Sequence, residues 1–179
     1  MEIRKAKLSD LDEMARLVTL YLGTCNIPEK NNGKTIFELN KEEILQDLKC
    51  YYVCEEDNKI LGLCGISEPR VIEYKLAKTI RFPDYREILY LVVDEKFRGQ
   101  GIGTRLLQEC CNFNDYTIIY EAWGDGEKVN SYQVLKNCGF MFCISLGDTY
   151  YKDHGYCPYC VNYDTGCCIS CKAEIWLKV

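Results

Sequence analysis

A glycine-rich segment from Arg98 to Gly103, RGQGIG, has the residue types of an anion-binding loop. Its alternating glycines leave the backbone N–H groups open to a ligand, because no Cβ stands in the way. An apolar run of strand length precedes the segment and a helical pattern from Thr104 follows it. A helix that begins at such a loop directs several amides and the positive end of its dipole at one point, which suits a pyrophosphate.

Three other interpretations of this loop compete. A dinucleotide-binding fingerprint also begins with Gly-x-Gly, but it belongs to the first strand and helix of its fold and needs Gly or Ala where this chain has Thr104. A P-loop is excluded, because no Gly-Lys-Ser/Thr follows. A tight turn that binds nothing stays open at this point.

Cysteine is unusually abundant, with 13 residues, and four of them form two Cys-x-x-Cys pairs. The pairs are Cys157 with Cys160 and Cys168 with Cys171, separated by seven residues. Two such hooks can supply four thiolates to a tetrahedral structural zinc ion. We therefore predict a cysteine-rich, zinc-binding insert at residues 152–172.

This zinc prediction also has alternatives. Cys-Pro-Tyr-Cys occurs in glutaredoxin-like redox proteins, but residues 161–179 cannot supply the βαβ unit that the motif needs there. Disulfides conflict with the reducing compartment that we expect for this protein. Reduced thiols that bind no metal remain an alternative interpretation. Cys167 or His154 lies close enough to replace one zinc ligand.

The hydrophobic periodicity predicts a mixed α/β (α+β) arrangement with helices on both faces of one sheet. An opening strand, an amphipathic helix that ends at Gly23, a helix from Asn40 to Lys49 and a strand hairpin closed by Asp57-Asn58 come first. Later strands are expected at 88–93, 116–122, 140–146 and 173–179, and later helices at 104–113 and 130–137. The length of 179 residues favours a single domain spanning 1–179.

Charge and hydropathy narrow the class of protein further. The net charge is -5 and no run of Lys or Arg could neutralise a row of phosphates, so nucleic acid is an unexpected partner. No apolar stretch reaches the roughly 18 to 20 residues of a membrane span, and the first residues are polar rather than signal-like. We expect a cytoplasmic protein that does not enter the membrane.

The motif resembles that of the GNAT N-acetyltransferase superfamily, Arg/Gln-x-x-Gly-x-Gly/Ala after the fourth strand. The RGQGIG loop matches it at every position, and the strand exit from Leu91 to Phe97 fits as well, with Glu95 where many members have proline. The order of elements agrees over residues 1–150 and 173–179. The resemblance implies the GNAT fold, a mixed, mostly antiparallel sheet of six to seven strands.

The resemblance also implies how acetyl-CoA would bind as cosubstrate. The fourth strand of the family splays from the fifth, the pantetheine arm lies in the gap, and the loop amides hold the pyrophosphate. The implied coenzyme-binding residues are Leu91, Val92, Val93, Arg98, Gly99, Gln100, Gly101, Ile102, Gly103 and Thr104. A primary amine of a small molecule or peptide would attack the thioester directly, and a homodimer is compatible with this family.

Two glutamates are candidates for the general base. Glu87 occupies the position of a catalytic glutamate in the histone-acetylating branch, and Glu121 near the end of the fifth strand is its competitor. Either can instead be a solvated charge at a strand end. With a period of two, Glu87, Leu89, Leu91 and Val93 would share one face of the sheet.

The general acid is where this chain departs from the family. Alignment on Gly139-Phe140 puts Leu135 where the family usually has a tyrosine. Tyr132, three residues earlier, is the substitute candidate, and a packing role is the alternative. The departure leaves room for a different function, a non-catalytic CoA-binding or zinc-stabilised interaction module.

Overall fold

The computed structural model describes residues 1–23, 33–68, 85–112, 116–124, 129–147 and 172–179. These ranges contain seven strands and four α-helices. In chain order they are β1 (Glu2–Lys5), α1 (Leu11–Leu22), α2 (Ile36–Gln46), β2 (Tyr51–Glu56), β3 (Lys59–Ile66), β4 (Tyr85–Val93), α3 (Ile102–Cys110), β5 (Thr117–Gly124), α4 (Tyr132–Asn137), β6 (Met141–Gly147) and β7 (Lys172–Lys178).

The strands form one sheet in the order β1-β2-β3-β4-β5-β7-β6. Every neighbouring pair is antiparallel except β4 and β5, which run parallel. Parallel neighbours need a crossover connection, and here the connection between β4 and β5 contains α3. The predicted mixed, mostly antiparallel sheet of six to seven strands is confirmed.

Two apolar clusters cover the two faces of this sheet. The buried side chains of α1 and Ile44 of α2 pack on one face, which we call the α1 face. Leu106 and Leu107 of α3 and Leu135 of α4 pack on the other, which we call the α3 face. Helices therefore lie on both sides, as the sequence predicts.

The second helix begins earlier than predicted. It starts at Ile36 rather than Asn40, because Thr35 and Glu38 form a capping box at its N-terminus. The Thr35 hydroxyl accepts from the Glu38 N–H at 3.2 Å, and the Glu38 carboxylate accepts from the Thr35 N–H at 2.7 Å. Both partners are visible in the sequence as Thr-x-x-Glu, so this boundary was predictable.

The β2–β3 hairpin is confirmed at its turn. Asp57 and Asn58 both have positive φ, 50° and 62°, which is the backbone of a tight two-residue turn that matches the strand twist. The cysteine-rich insert at 152–172 falls almost wholly outside the described residues, and its four predicted zinc ligands lie outside them. In the ranges given above, no helix is long and apolar enough to cross a membrane.

Candidate functional site

A gap opens in the sheet where β4 and β5 part. The two strands have nine and eight residues, but they pair at only three positions, the last being Glu87 with Ile119. Beyond this pair β4 follows β3 as far as Val93, and β5 follows β7 as far as Gly124. The β5-facing edge of β4 has no strand partner past Glu87 in the described part of the sheet.

A β-bulge in β4 lies at the start of this gap. Between the pairs Ile66–Ile88 and Cys64–Leu91, β4 has two residues, Leu89 and Tyr90, where β3 has one. The extra residue reverses which face of the sheet the following side chains meet.

Because of the bulge, the prediction that one face is shared by Glu87, Leu89, Leu91 and Val93 is wrong. Leu91 and Val93 pack on the α3 face, but Leu89 packs on the α1 face. Glu87 alternates with Ile88, which is buried on the α3 face, so Glu87 lies on the α1 face with Leu89.

The backbone of Leu91 and Val93 faces the gap. Asp94 donates its N–H to the Leu61 carbonyl of β3 at 2.9 Å, which makes these two residues a hydrogen-bonded pair of the ladder. In an antiparallel ladder such residues alternate, so Val92 also bonds toward β3, while Leu91 and Val93 direct their N–H and C=O groups away from it. An extended ligand lying in the gap can therefore bond to β4 as a further strand would.

A short 3-10 turn, Glu95–Phe97, redirects the chain from β4 to the loop. The Asp94 carboxylate accepts from the Lys96 N–H at 3.0 Å, and the Asp94 carbonyl accepts from the Phe97 N–H at 2.9 Å. Gly99 and Gly101 both have φ of 77°, which residues with a Cβ rarely adopt. These two glycines are required by the backbone conformation of the loop.

The N-terminus of α3 follows the loop without a capping side chain. Gly101 is its N-cap residue and provides no side-chain hydrogen bond, so the first amides, from Ile102 to Thr104, have no acceptor within the helix. The N-terminus of α2, by contrast, is closed by its capping box. Residues 95–105 include three basic residues and one acidic residue, whereas the chain as a whole has a net charge of -5. The amides and the local charge together suit a phosphate group.

Gly103, in contrast, has neither a positive φ nor a close contact that requires glycine. A Cβ at this position would lie 3.5 Å from Val134 Cγ2 and 3.6 Å from Val93 Cγ2, which are ordinary contact distances. The space between α3, α4 and β4 at this position therefore tolerates a methyl group.

The two predicted base candidates lie on the same face of the sheet. Glu87 pairs with Ile119, and Glu121 is two residues further along β5, about 7 Å toward the open end of the gap. Ile118 and Tyr120 are buried on the α3 face, so Ile119 and Glu121 lie on the α1 face with Glu87. The structure thus brings the two carboxylates to opposite sides of the gap.

Ser67 fixes the backbone at Glu87. The Glu87 N–H donates to the Ser67 hydroxyl at 3.0 Å, and the Ser67 N–H donates to the Glu87 carbonyl at 2.8 Å. Ser67 is fully buried, so its hydroxyl is held in place by the surrounding core. The sequence analysis missed this residue, because nothing local marks a serine at the end of a strand as a partner of a residue 20 positions away.

The aromatic residues near α4 serve packing. Tyr132 meets Trp176 edge to face at 5.6 Å between ring centroids, and Leu135, at the usual tyrosine position, is fully buried. Tyr120 is also in the α3-face core, where burial raises the pKa of its hydroxyl to about 12. Tyr132 stays the predicted acid candidate among these aromatic residues, and its contact with Trp176 favours a packing role.

Tyr21 of α1 is a second residue that the sequence analysis missed. Its hydroxyl accepts from the Glu95 N–H at 3.0 Å and donates to the Asp94 carboxylate at 3.3 Å. Its ring lies 4.6 Å from the Arg98 guanidinium, in cation–π geometry. The end of α1 is thus joined to the loop.

Comparisons with known proteins agree with this geometry. The model of the acetyltransferase (GNAT) family matches residues 16–140. An uncharacterized N-acetyltransferase of Chlorobaculum tepidum is 25% identical over 154 residues, which cover 86% of this chain and 74% of that protein.

Solved structures share the fold over nearly the whole chain. Arylalkylamine N-acetyltransferase 2 of Aedes aegypti has a TM-score of 0.65 at 16% identity, with 99% of this chain and 98% of that chain covered. A Mycobacterium tuberculosis protein in complex with CoA and NLQ has a TM-score of 0.55 at 15% identity, with 100% of each chain covered. At these identities the likeness establishes the fold.

Proposed function

Because this chain belongs to the acetyltransferase (GNAT) family, we propose that it transfers the acetyl group of acetyl-CoA to a primary amine by direct attack. The observation that carries the proposal is the gap between β4 and β5, which ends at the uncapped N-terminus of α3. An extended, hydrogen-bonding arm with a pyrophosphate at one end fits both features at once.

The coenzyme would use the backbone rather than many side chains. The pantetheine amides would bond to the gap-facing N–H and C=O groups of Leu91 and to the N–H of Val93, since the Val93 carbonyl already accepts from Arg98 Nε at 3.0 Å. The pyrophosphate would accept from the loop and helix amides between Gly99 and Thr104, with Arg98 and the helix dipole adding positive charge.

The reaction requires loss of a proton from the acceptor ammonium and stabilisation of an oxyanion. The neutral amine nitrogen forms a bond to the thioester carbonyl carbon, and the carbonyl oxygen takes the negative charge. The carbonyl then re-forms as the C–S bond breaks to release the CoA thiolate, and the nitrogen gives its remaining extra proton to this thiolate or to solvent. Glu87 or Glu121 would take the amine proton from the α1 face. A gap-facing backbone amide near Val93 would donate to the oxyanion.

No dedicated general acid is required by this scheme. A thiol with an ordinary pKa of about 8.5 leaves as a thiolate near neutral pH without large cost. Tyr132 stays a candidate for protonating it, although its contact with Trp176 favours a packing role.

The acceptor is proposed to be a small-molecule or peptide amine. A protonated amine is attracted by the two carboxylates that flank the gap, and the net charge of -5 acts in the same direction at long range. The arylalkylamine acetyltransferase with the same fold is, by its name, an example of an enzyme with an amine acceptor.

The alternative function is a non-catalytic CoA-binding module. The buried Leu135 at the usual tyrosine position favours it, because coenzyme binding alone needs no proton transfer. The zinc site of Cys157, Cys160, Cys168 and Cys171 stays a hypothesis that rests on their spacing. Seven free cysteines among the described residues support a reducing, cytoplasmic location.

Thiol release separates the two functions. Purified protein is incubated with acetyl-CoA and a panel of primary amines, and free CoA is followed with a thiol reagent after small-molecule separation. Acetyl-amine product matched by equal CoA release supports the enzyme. A rise in melting temperature on addition of CoA, without turnover on the full panel of amines, would favour the non-catalytic module.

A further inference from the structure

Tyr21 contacts the site from outside the family motif. It is the penultimate residue of α1, and its contacts with the Glu95 amide, the Asp94 carboxylate and the Arg98 guanidinium lie at 3.0, 3.3 and 4.6 Å. These contacts join residues separated by more than 70 positions in the chain. A single side chain therefore supports both the turn after β4 and the charged residue of the loop.

Arg98 is held at two points in the structure. Its Nε–H donates to the Val93 carbonyl at 3.0 Å, and its guanidinium carbon lies over the Tyr21 ring, 4.6 Å from the ring centroid. A guanidinium has five N–H donors, and this arrangement uses the one on Nε. The terminal amino groups donate no hydrogen bond to the residues that the structure describes, so they remain for a ligand.

The side chain of Arg98 would otherwise have to be ordered by the ligand. Long, exposed arginine side chains lose conformational entropy when they are fixed on an anion, and prior ordering removes that cost from the binding step. The Tyr21 ring contacts the guanidinium, and the Tyr21 hydroxyl bonds to the turn that carries Arg98.

We propose that Tyr21 is a positioning residue of the pyrophosphate site, acting through Arg98. The proposal rests on the proposed function, since it takes the pyrophosphate of CoA as the ligand of Arg98. In this role Tyr21 would make no contact with phosphate itself but would order the guanidinium of Arg98 before the coenzyme binds.

A double-mutant cycle tests this coupling. CoA affinity is measured by isothermal titration for the wild-type protein, Tyr21→Leu, Arg98→Ala and the double variant. We expect each single variant to weaken CoA binding by about 3- to 30-fold. If Tyr21 acts through Arg98, the double variant binds CoA about as well as Arg98→Ala alone.

Two further variants keep the test specific. Tyr21→Phe retains the ring and should bind CoA within about threefold of wild type. This variant keeps the test informative if Tyr21→Leu folds poorly. Tyr52→Leu removes a similar cation–π contact, to Lys5 at 3.7 Å, away from the loop, and should leave CoA affinity unchanged. Multiplicative losses in the cycle, or a Tyr52 loss equal to the Tyr21 loss, would overturn the inference.

The outcomes also separate this inference from the proposed function. Absence of CoA binding by the folded wild-type protein removes the proposed function itself. CoA binding by wild type with multiplicative losses removes only the role of Tyr21.

Discussion

Glu87 and Ile119 form the last pair of the parallel ladder between β4 and β5. At this pair the sheet changes from a continuous surface to two diverging strands, and the carboxylate side chain of Glu87 lies at the point of divergence. Because parallel pairing ends there, the gap-facing backbone of β4 is left for another extended chain. Under the proposed function, this residue pair would mark where the pantetheine arm of acetyl-CoA ends.

The base is predicted to be Glu87, because Ser67 holds both its backbone N–H and its backbone C=O in place. Glu87→Gln keeps the shape of the side chain but cannot take a proton. We expect kcat to fall by about 100-fold or more while CoA affinity stays within about threefold of wild type. Steady-state kinetics with a responsive amine, together with titration of CoA, check both numbers.

Two matched variants control this prediction. Glu121→Gln should lower kcat by less than about tenfold, and Glu109→Gln, an exposed position on α3, should leave it unchanged. A larger effect at Glu121 would move the role of base to β5, and equal small effects at both sites would mean that neither carboxylate takes the proton.

Gly65 is predicted to be essential for stability rather than for binding. It lies opposite the β4 bulge, and a Cβ there would meet Tyr51 Cδ1 at 2.7 Å. Tyr51 is buried and stacks on Tyr90 of the bulge, so its ring has little room to move. Gly65→Ala should lower the free energy of unfolding by about 1 to 3 kcal/mol in urea. Gly103→Ala is the control and should change it by less than about 1 kcal/mol.

The protein should lose stability in mild alkali. Burial raises the pKa of the Cys111 thiol to about 12 and also raises the pKa of Cys64, Cys54 and Cys138. These thiols stay protonated in the folded chain but ionise in the unfolded chain above about pH 8.5. The stabilising contribution is therefore complete below that pH and is lost as the pH rises toward the folded pKa.

Urea unfolding at several pH values measures this loss. Between pH 9 and 11 the free energy of unfolding should fall, and Cys111→Ala should reduce the slope by up to about 1.4 kcal/mol per pH unit. An unfolding free energy that is flat over this range, or a slope that Cys111→Ala leaves unchanged, would contradict the assignment of buried, neutral thiols.

The paired cysteines predict about one zinc ion per chain. Metal analysis of protein purified without chelator checks the content, and Cys160→Ser with Cys171→Ser should abolish it. The matched variant Cys143→Ser removes a thiol outside the motif and should retain the metal. If the site borders the acceptor pocket, the double variant raises the Michaelis constant of the amine more than that of acetyl-CoA. Zinc-free wild-type protein would exclude the site.

The parts of this site that depend on neighbouring residues were predictable from the sequence. The glycines predict the loop from Arg98 to Gly103, and the hydrophobic periodicity predicts the helix after it. Asp57-Asn58 likewise predicts the turn of the β2–β3 hairpin. The start of α2 was also within reach, since Thr35 and Glu38 have capping-box spacing.

Features that depend on two distant segments were not predictable in this way. The bulge in β4 exists because Leu89 and Tyr90 lie opposite one residue of β3. The sequence of either strand alone does not show how many residues of its partner it will face. The bulge reversed the face expected for Leu91 and Val93 relative to Glu87. The contact of Tyr21 with Arg98 joins α1 to a loop 77 residues later, and a tyrosine in a helical pattern gives no sign of it.

Binding of CoA to the wild-type protein and to Gly101→Ala tests the central claim most directly. Gly101 has φ of 77°, where alanine costs about 1 to 2 kcal/mol, so the substitution should shift the loop and misdirect the first amides of α3. We predict that titration calorimetry detects CoA binding to the wild-type protein and at least about tenfold weaker binding to Gly101→Ala. The control Gly139→Ala replaces a glycine of similar φ, 79°, outside the loop and should bind CoA within about threefold of wild type. No binding by wild type, or equal binding by wild type and Gly101→Ala, would contradict a coenzyme site at this loop.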